Sequence, residues 1–462
     1  MPVSGAAHTV QSGVKIVLLG GGGFRTPLTC TALQSIAERV SLSELVLHDV
    51  SLERLQRMRL VLDGLADRGE GRLPVRVTTD LDEAVDGADF VWCAIRVGGL
   101  EGRLIDEQVP VREGVVGQET TGPGGVCFAL RSLPALLEIA RVVERRARHA
   151  WFINFTNPVG LVVEALQPVL GSRVIGVCDT PSGLCSRVSR LLARPSSELW
   201  FDYFGLNHLG WLRAVVDESG DRLPELLADD AAVCQLHEAG LFGVERLRQL
   251  GMIPNEYLYY YEHAKSAVDA VRHGRGRADY LLAQQRAFYT AGFATPAEAA
   301  AAWRAAWRQR ERSYMAEAMA RGGAEVEAEV EVEPSPGYAA VAAELLEALA
   351  RNTRRVLILN TANRGGLACL DAQAIVEVPC VVDGQGAAPV AVGDVPPAAE
   401  SLMQTIKHVE RLTIRAAAES STAQAVEALA QHPLVASRTL AQRIFDAYRA
   451  EHASLRARFG VA

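Results

Sequence analysis

Apolar runs alternate with amphipathic stretches through the first part of the chain. Residues 14–19 form an apolar run that ends in four glycines, and residues 44–49 form another that ends in an acidic residue. Residues 51–65 have helical spacing, and short strand-like runs follow at residues 75–79, 89–95, 151–154 and 173–177. Buried parallel strands are apolar along their length, and strands alternating with helices are typical of doubly wound sheets. The pattern predicts an α/β fold with a Rossmann-like doubly wound parallel sheet in residues 1–200.

The pattern changes after about residue 200. Alanine-rich helical stretches dominate at residues 296–321 and 338–351, and strand-like pieces return at residues 355–359 and 374–382. This mixture predicts an α+β domain over residues 201–462, assigned to substrate binding and oligomerisation. The alternating acidic stretch at residues 325–336 favours a solvated loop or an edge hairpin.

Charge and composition exclude several classes of function. The formal net charge is -8, without a basic block, which argues against nucleic acid as a partner. No apolar run approaches the roughly 20 residues that a membrane span needs, and residues 1–13 lack the features of a signal peptide. The eight cysteines are scattered, with no CxxC pair, which favours reduced thiols. We therefore expect a cytoplasmic protein.

The four glycines after the first run favour dinucleotide binding. They follow a predicted strand, and Thr26-Pro27 predicts a helix start capped by Thr26. Such a turn lets a pyrophosphate approach backbone amides, and the acid ending the second run can accept hydrogen bonds from ribose hydroxyls. This acid would repel a 2′-phosphate, so NAD is favoured over NADP; a turn that only reverses the chain is the alternative. The candidate cofactor-binding residues are Gly20, Gly21, Gly22, Gly23, Phe24, Arg25 and Asp49.

Cys178 and His208 are candidate metal ligands. Cys178 follows a predicted strand, where open α/β sheets bind ligands, and His208 lies between aromatic residues. Taken singly, each residue is more often structural. A thiolate and an imidazole together suggest zinc by ligand chemistry. Because two protein ligands do not complete the coordination shell of the metal, substrate or water would have to supply the others.

Three further segments carry dense polar groups. Arg96 follows the strand-like run at residues 89–95, residues 117–125 form a long glycine-rich loop, and residues 154–158 end another predicted strand. A glycine-rich loop can approach a ligand closely. Asn157 is either a ligand contact or part of an Asx turn before a proline.

These segments together resemble glycoside hydrolase family 4. The matching motifs occur in order across residues 14–435, and several are long and specific. They are KIVLLGGGGFRTP, IRVGGLEGRLIDEQVPVREGVVGQETTGPGGVCFALRSLP, NFTNPVG, GVCDTP, GLNHLGW, IPNEYLYYY, GRGRADY, NTANRGGLACLDAQAIVEVPCVV, IKHVERLTIRAA and HPLV.

The resemblance implies a redox-assisted glycosidase that departs from the usual two-carboxylate chemistry. In the family, NAD⁺ takes a hydride from the sugar C3, a base removes the C2 proton, and a metal stabilises the resulting enediolate. The aglycone is then eliminated, water adds, and NADH returns the hydride. The family metal is typically Mn²⁺, which we prefer to zinc.

The resemblance also implies roles for individual residues. Cys178 and His208 match the metal ligands; Arg96, Asn157 and Arg277 match substrate-binding positions. Asp179 matches the general acid. The C2 base is a tyrosine, expected at Tyr257, with Tyr259, Tyr260 and Tyr261 left open. Because a phenol is a weak base at neutral pH, a nearby cation should lower its pKa, with Arg277 and the metal as candidates.

The resemblance implies a 6-phospho-glucosidase, with the β-anomer as the nominal substrate and a homodimer or homotetramer as the assembly. Phe24 stands near a position where members acting on 6-phosphosugars commonly carry serine, while Arg25 is a substitute phosphate contact. A 6-phospho-α-glucosidase and a glycosidase of unphosphorylated sugars are therefore alternatives. From other classes, the rivals are an NAD-dependent hydroxy-acid or sugar dehydrogenase and a nucleotide- or sugar-sensing binding protein.

Overall fold

The computed structural model of the protein describes residues 13–66, 73–312 and 337–460. The acidic stretch at residues 325–336 lies outside this part of the chain, as do residues 1–12 and the end of the helix predicted at 296–321. Among the described residues, no helix combines the length and apolar character needed to cross a membrane.

The strands, in chain order, are β1 (Val14–Leu19), β2 (Leu42–His48), β3 (Val75–Thr78), β4 (Phe90–Cys93), β5 (Trp151–Asn154), β6 (Val174–Gly176), β7 (Trp200–Leu206), β8 (Leu209–Asp217), β9 (Gly220–Asp221), β10 (Ile253–Pro254), β11 (Arg355–Ala362), β12 (Ile375–Asp383) and β13 (Gly386–Pro389).

The α-helices, in the same order, are α1 (Thr26–Ile36), α2 (Leu52–Leu65), α3 (Leu81–Val85), α4 (Gly99–Arg112), α5 (Pro123–Arg146), α6 (Val159–Leu170), α7 (Asp179–Leu191), α8 (Leu223–Ala228), α9 (Asp230–Val233), α10 (His237–Phe242), α11 (Val244–Leu250), α12 (Tyr259–Glu262), α13 (Ala264–Ala270), α14 (Arg277–Thr290), α15 (Pro296–Arg312), α16 (Gly337–Arg351), α17 (Pro397–Glu419), α18 (Thr422–Gln431), α19 (Arg438–Glu451) and α20 (Ala453–Phe459).

The larger sheet is doubly wound, as predicted. Its strand order is β13-β12-β11-β6-β5-β4-β1-β2-β3; β1 to β6 are parallel and follow the order of dinucleotide-binding folds. Ile16 and Leu18 of β1 pack into one hydrophobic cluster, and Val17 and Leu19 pack into another. Because successive strand side chains point to opposite faces, both faces are covered, which is why the run is continuously apolar.

The second half of the chain adds three strands to this same sheet. β11 pairs antiparallel with β6, where Asn360 lies opposite Gly176, and then with β12. Both strand-like pieces predicted after residue 350 are therefore strands. The predicted domains 1–200 and 201–462 share one sheet, and the boundary between them stays a prediction.

A separate antiparallel sheet has the order β10-β8-β7, with β9 paired to β8. β7 and β8 form a hairpin in which Leu206 lies opposite Leu209, so Asn207 and His208 make the turn. His208 has φ of 61°, a left-handed conformation that is uncommon outside glycine. At Gly205, with φ of 153°, a Cβ would lie 2.3 Å from the Leu209 carbonyl oxygen, so the close strand approach requires glycine.

Candidate active site

The glycine-rich turn closes directly onto the neighbouring strands. The Gly20 amide donates to the His48 carbonyl over 2.9 Å. Gly20 has φ of 87°, and a Cβ there would lie 2.6 Å from the Ala94 carbonyl oxygen, which only glycine avoids. The Gly22 amide donates to Asp49 Oδ2 over 3.1 Å. The turn and the acidic residue that follows β2 therefore lie side by side, as a dinucleotide site requires.

Phe24 and Arg25 separate after the turn. Phe24 is only 4% exposed, and its ring packs against three aromatic rings of α14 and α15: Phe288, Trp303 and Trp307. Arg25 occupies the N-cap position of α1. Thr26, which was expected at the cap, is instead the first helical residue, and its hydroxyl donates to the Gly21 carbonyl over 2.9 Å. The predicted cap is thus corrected by one residue.

One cavity of about 1110 Å³ brings most of the predicted site together. Its lining joins the glycine turn to residues from later strands and helices. The predicted site residues that line it are Gly20, Gly23, Phe24, Arg25, Asp49, Arg96, Asn157, Asp179, Tyr257 and Arg277. Gly21 and Gly22 lie within the turn, and the two candidate metal ligands lie behind the cavity wall.

Cys178 and His208 are each buried directly behind a residue of that wall. Cys178 is 2% exposed and immediately precedes Asp179. His208 is 4% exposed, and its ring stacks on Tyr257 with the centroids 3.7 Å apart. Burial raises the pKa of the Cys178 thiol well above its usual value, and negative charge on Glu377 adds to the effect. A thiolate at this position therefore needs a cation beside it.

The hydrogen bonds of His208 leave one ring nitrogen for a ligand. Thr120 Oγ1 donates to Gln118 Oε1 over 3.0 Å and lies 3.0 Å from His208 Nδ1. We assign the proton to Nδ1 from this network, because the hydroxyl proton is already engaged. Nε2 then carries a lone pair; it is buried, with no hydrogen-bond partner among the described residues.

The charge state of His208 agrees with a metal-binding role. Burial lowers its pKa to about 3, so the ring is neutral at neutral pH. A neutral imidazole with one nitrogen held by a hydrogen bond and the other open is the form that binds metals. Cys178 and His208 therefore each have the chemistry of a ligand for a divalent cation, and their binding of one shared ion stays a prediction.

Among the clustered tyrosines, position favours Tyr257. Tyr257 and Tyr260 line the cavity. Tyr259 is buried and its ring contacts the His263 ring, while Tyr261 stacks on His432, away from the cavity lining. Only Tyr257 combines contact with His208 and exposure to the cavity among the described contacts. Its role as base stays a prediction.

Arg96 belongs to a buried chain of ion pairs. Glu119 Oε2 lies 2.5 Å from Arg96 Nη1, and Glu119 Oε1 lies 2.8 Å from Arg103 Nη1. Burial alone would raise the pKa of Glu119, but Arg103 and Arg96 together hold it at about 2. Arg103 also interacts electrostatically with Tyr257. Arg103 is thus a cation that interacts with the candidate base, and the sequence did not suggest this role for it.

Arginines gather around the end of α15. Arg277 Nη2 donates to the Arg310 carbonyl over 3.3 Å. The guanidinium carbon of Arg25 lies 5.5 Å from the centroid of the Trp307 ring, and the guanidinium carbon of Arg310 lies 5.8 Å from the same centroid. Burial and the charges of Arg25, Arg277 and Arg103 lower the pKa of Arg310 to about 9. A cluster of like charges of this kind suits an anionic group such as a phosphate.

Asn157 and Asp179 present oxygen atoms at the same cavity. Asn157 Oδ1 is buried and has no hydrogen-bond partner among the described residues, so it can accept a bond from a ligand hydroxyl. Asp179 is the first residue of α7, and its Oδ2 lies 3.5 Å from Arg25 Nη1. Burial raises the pKa of Asp179, and Arg25 opposes the rise. A carboxyl that is harder to ionise suits proton donation.

A buried carboxylate lies deeper, where β12 passes the hairpin sheet. Glu377 Oε1 accepts from Asn360 Nδ2 over 2.7 Å, and Glu377 Oε2 accepts from the Tyr203 hydroxyl over 3.3 Å. Burial raises the pKa of Glu377 to about 7. Its charge also disfavours the Cys178 thiolate.

Five residues at or around this site were missed from the sequence: Arg103, Thr120, Arg310, Tyr338 and Glu377. Two of them carried a readable signal. Thr120 lies in the glycine-rich loop that was already singled out, and Glu377 is a lone acid inside an apolar strand. The other three, Arg103, Arg310 and Tyr338, lie in ordinary helical sequence, and only packing reveals that they line the cavity.

Two family models match the chain. The family 4 glycosyl hydrolase model matches residues 15–194, and the model of the family 4 glycosyl hydrolase C-terminal domain matches residues 203–435. A maltose-6′-phosphate glucosidase of Bacillus subtilis (strain 168) is 30% identical over 449 residues, which cover 93% of this chain and 94% of that protein.

Two solved structures are similar over nearly their whole length. A 6-phospho-beta glucosidase from Thermotoga maritima, crystallised with manganese, NAD+ and glucose-6-phosphate, has a TM-score of 0.79 and 25% identity, covering 95% of this chain and 98% of that one. A 6-phospho-alpha-glucosidase from gut microorganisms, in complex with NAD and Mn2+, has a TM-score of 0.78 and 26% identity, covering 96% and 99%.

Proposed function

This chain belongs to family 4 of the glycosyl hydrolases, and on that premise we propose that it is an NAD- and Mn²⁺-dependent 6-phospho-glucosidase with β-glucosides as its nominal substrates. The similar proteins include both α- and β-acting enzymes, and both of the similar solved structures hold NAD and manganese. The 6-phospho-α-glucosidase is the second candidate, since a relative of each type matches equally well.

The observation that carries this proposal is the shared cavity. It joins the glycine turn and Asp49 to Asp179 and Tyr257, and the open Nε2 of His208 lies behind the Tyr257 ring. The cavity therefore joins the candidate dinucleotide turn to the candidate catalytic residues, which supports a reaction between a bound cofactor and a sugar.

When bound, NAD⁺ would supply a transient hydride acceptor for the sugar C3, and a divalent metal held by Cys178 and His208 would supply Lewis acidity. The cofactor would lie on the glycine turn, with Asp49 directed at ribose hydroxyls. The close approach of the glycine turn to Asp49, and the neutral His208 ring whose Nε2 has no hydrogen-bond partner among the described residues, support these assignments.

The protein residues would then transfer the protons and bind the substrate. Tyr257 would take the proton from the sugar C2, with Arg103 as a cation that interacts with it. Asp179 would give a proton to the departing oxygen. Asn157 and Arg96 would bind the sugar hydroxyls, and Arg277 with Arg310 would bind the 6-phosphate.

The test is a panel of nitrophenyl α- and β-glucosides, with and without 6-phosphate, assayed with NAD⁺, Mn²⁺ and a reductant. We expect aglycone release from the β-6-phosphate substrate without net accumulation of NADH, because the hydride returns in each turnover. Stoichiometric NADH would instead indicate a dehydrogenase. If only unphosphorylated or α-linked members of the panel are cleaved, the proposed substrate is wrong, while the proposed mechanism is unaffected.

Substrates carrying deuterium at C2 or C3 test the mechanism itself. A primary isotope effect at either position is expected if those C–H bonds break during turnover. If neither position shows an effect under conditions where chemistry limits the rate, the redox mechanism is wrong for this enzyme.

We also propose a cytoplasmic homodimer or homotetramer. All eight cysteines lie in the described part of the chain and none forms a disulfide there, which suits a reducing compartment. Sedimentation of the purified protein would establish the number of subunits.

A further inference from the structure

Asp179 is held by two residues that are distant in sequence. Arg25 Nη1 lies 3.5 Å from Asp179 Oδ2, and the Tyr338 side chain interacts with the same carboxyl group. The guanidinium of Arg25 in turn lies over the Tyr338 ring, 4.9 Å from its centroid. Each member of this triad therefore contacts the other two.

The surroundings of Tyr338 restrict its movement. Its ring meets the Phe155 ring edge-on, with the centroids 6.1 Å apart. The preceding residue, Gly337, has φ of 55°, and a Cβ there would lie 4.0 Å from Asp179 Oδ2. The start of α16 thus lies directly against the carboxyl group, and Tyr338 enters the cavity from that helix.

We propose that Tyr338 is a positioning residue, which with Arg25 holds the Asp179 carboxyl toward the oxygen of the leaving group. The inference rests on the proposed function, in which Asp179 is the general acid. A proton donor must lie within hydrogen-bond reach of the atom it protonates, and a displacement of about 1 Å can cost about 10²-fold in rate.

This role predicts a dependence on the leaving group. A 4-nitrophenolate departs without a proton, whereas an alkoxide such as methoxide requires one. Weakened positioning of Asp179 should therefore slow the release of alcohols and spare the release of nitrophenolate. A residue that only supports the fold or binds the sugar would affect both substrates equally.

The experiment compares Tyr338→Phe with the wild-type enzyme on 4-nitrophenyl and methyl 6-phosphoglucosides. The substitution removes the hydroxyl and keeps the ring between Arg25 and Phe155. We expect kcat/KM for the methyl glucoside to fall about tenfold or more, while the value for the nitrophenyl glucoside stays within about twofold. Tyr280→Phe, which removes a partly exposed hydroxyl on α14, is the matched control and should leave the ratio unchanged.

Recovered substrate provides a second measurement. If alcohol departure is slowed, the C2 proton is removed and returned many times before the bond breaks. Methyl glucoside recovered from D₂O should then carry deuterium at C2 with Tyr338→Phe, and much less with the wild-type enzyme. When the two enzymes are compared at equal conversion, this readout does not depend on the amount of correctly folded protein.

Asp179→Asn separates failure of this inference from failure of the proposed function. Selective loss on the methyl glucoside in both variants supports the positioning role. Selective loss with Asp179→Asn alone would overturn the role of Tyr338 and leave the acid assigned. Equal loss on both substrates with Asp179→Asn would remove the acid assignment, and the positioning role with it.

Discussion

The site has two halves that are built in different ways. One half follows the strands of the parallel sheet: Gly20 follows β1, Asp49 follows β2, and Asp179 comes shortly after β6. The other half comes from the β7–β8 hairpin and from helices, and it includes His208 and Tyr257. In the first half, backbone hydrogen bonds fix the residues, as when the Gly20 amide donates to the His48 carbonyl.

In the second half, side chains fix one another. His208 is held by the Thr120 hydroxyl on one ring nitrogen and by the Tyr257 ring on one face. A ladder of backbone hydrogen bonds tolerates a changed side chain, whereas a stacked pair does not. We therefore expect substitutions in the glycine turn and at Asp49 to alter cofactor affinity. Substitutions in the hairpin and helix half, and at Cys178 and Asp179 after β6, should alter chemistry and metal binding.

The largest expected effect is that of Tyr257→Phe. Removing the phenol oxygen abolishes the proposed C2 base while keeping the ring stacked on His208. We expect kcat to fall by about 10²–10⁴-fold, the usual contribution of a general base. NAD⁺ affinity, measured by fluorescence titration, should stay at the wild-type value because the glycine turn is untouched.

Tyr260→Phe and Tyr261→Phe provide the comparison for that variant. Tyr261 stacks on His432, so its hydroxyl should be dispensable for turnover. A larger loss with Tyr260→Phe than with Tyr257→Phe would move the base to Tyr260, the other tyrosine of the cluster on the cavity wall.

The strand half could be read from the sequence because its information is local. An apolar run, four glycines and a helix start specify β1, the turn and α1, and Asp49 follows from the end of the next run. Ligand chemistry singled out Cys178 and His208, and the resemblance to a family then supplied Tyr257. Only the cap of α1 had to be corrected.

The contacts of the other half could not be read in this way. Arg310 and Tyr338 lie on either side of residues 313–336, in helices whose sequences give no sign of a site. The position of Arg310 depends on how α15 packs beside the glycine turn, where the Trp303 indole donates to the Phe24 carbonyl over 2.9 Å. The position of Tyr338 depends on how the start of α16 packs against Phe155. Such long-range packing has no local pattern, so it became visible only in the structure.

Glu377→Gln tests a buried charge that lies between the halves. The pKa of Glu377 is raised by burial from 4.5 to about 7. Between those values the folded state binds more protons than the unfolded state, so stability is lost as the pH rises through this window. The neutral variant lacks that loss, and we expect it to gain up to about 3 kcal/mol relative to wild type between about pH 5 and about pH 8.

Urea unfolding at several pH values measures this difference. Glu53→Gln, on an exposed part of α2, is the control and should reproduce the wild-type pH dependence. Parallel pH dependences for Glu377→Gln and the wild-type protein would mean that the pKa of Glu377 is the same in the folded and the unfolded protein.

Thr120→Val tests the tautomer of His208. Valine keeps the shape and removes the oxygen that accepts from Nδ1. Loss of such an outer partner typically lowers metal affinity by about 10–100-fold. Mn²⁺ binding followed by electron paramagnetic resonance should weaken accordingly, and NAD⁺ affinity should not change. Thr405→Val, on α17, removes a hydroxyl bonded only to its own helix in the described contacts and serves as the control.

The smallest expected effect belongs to the strand half. In Asp49→Asn, one oxygen remains, and the charge that would repel a 2′-phosphate is removed. Asp49 currently accepts from the Gly22 amide through Oδ2 and from the Ser51 amide through Oδ1, each over 3.1 Å. Those bonds compete with ribose hydroxyls for the same carboxylate, so losing one acceptor should weaken NAD⁺ binding by only about 5–20-fold, or about 1–2 kcal/mol.

The discrimination between cofactors should change more visibly than the affinity itself. Asp49→Asn should bind NADP⁺ relatively better than the wild-type enzyme does, while Mn²⁺ affinity and kcat at saturating NAD⁺ stay constant. A fall in kcat or in Mn²⁺ affinity would contradict the separation of the two halves. In that case the glycine turn and the metal ligands would have to be coupled through the residues between them. The ion pair of Arg25 with Asp179 connects the two regions and would carry that coupling.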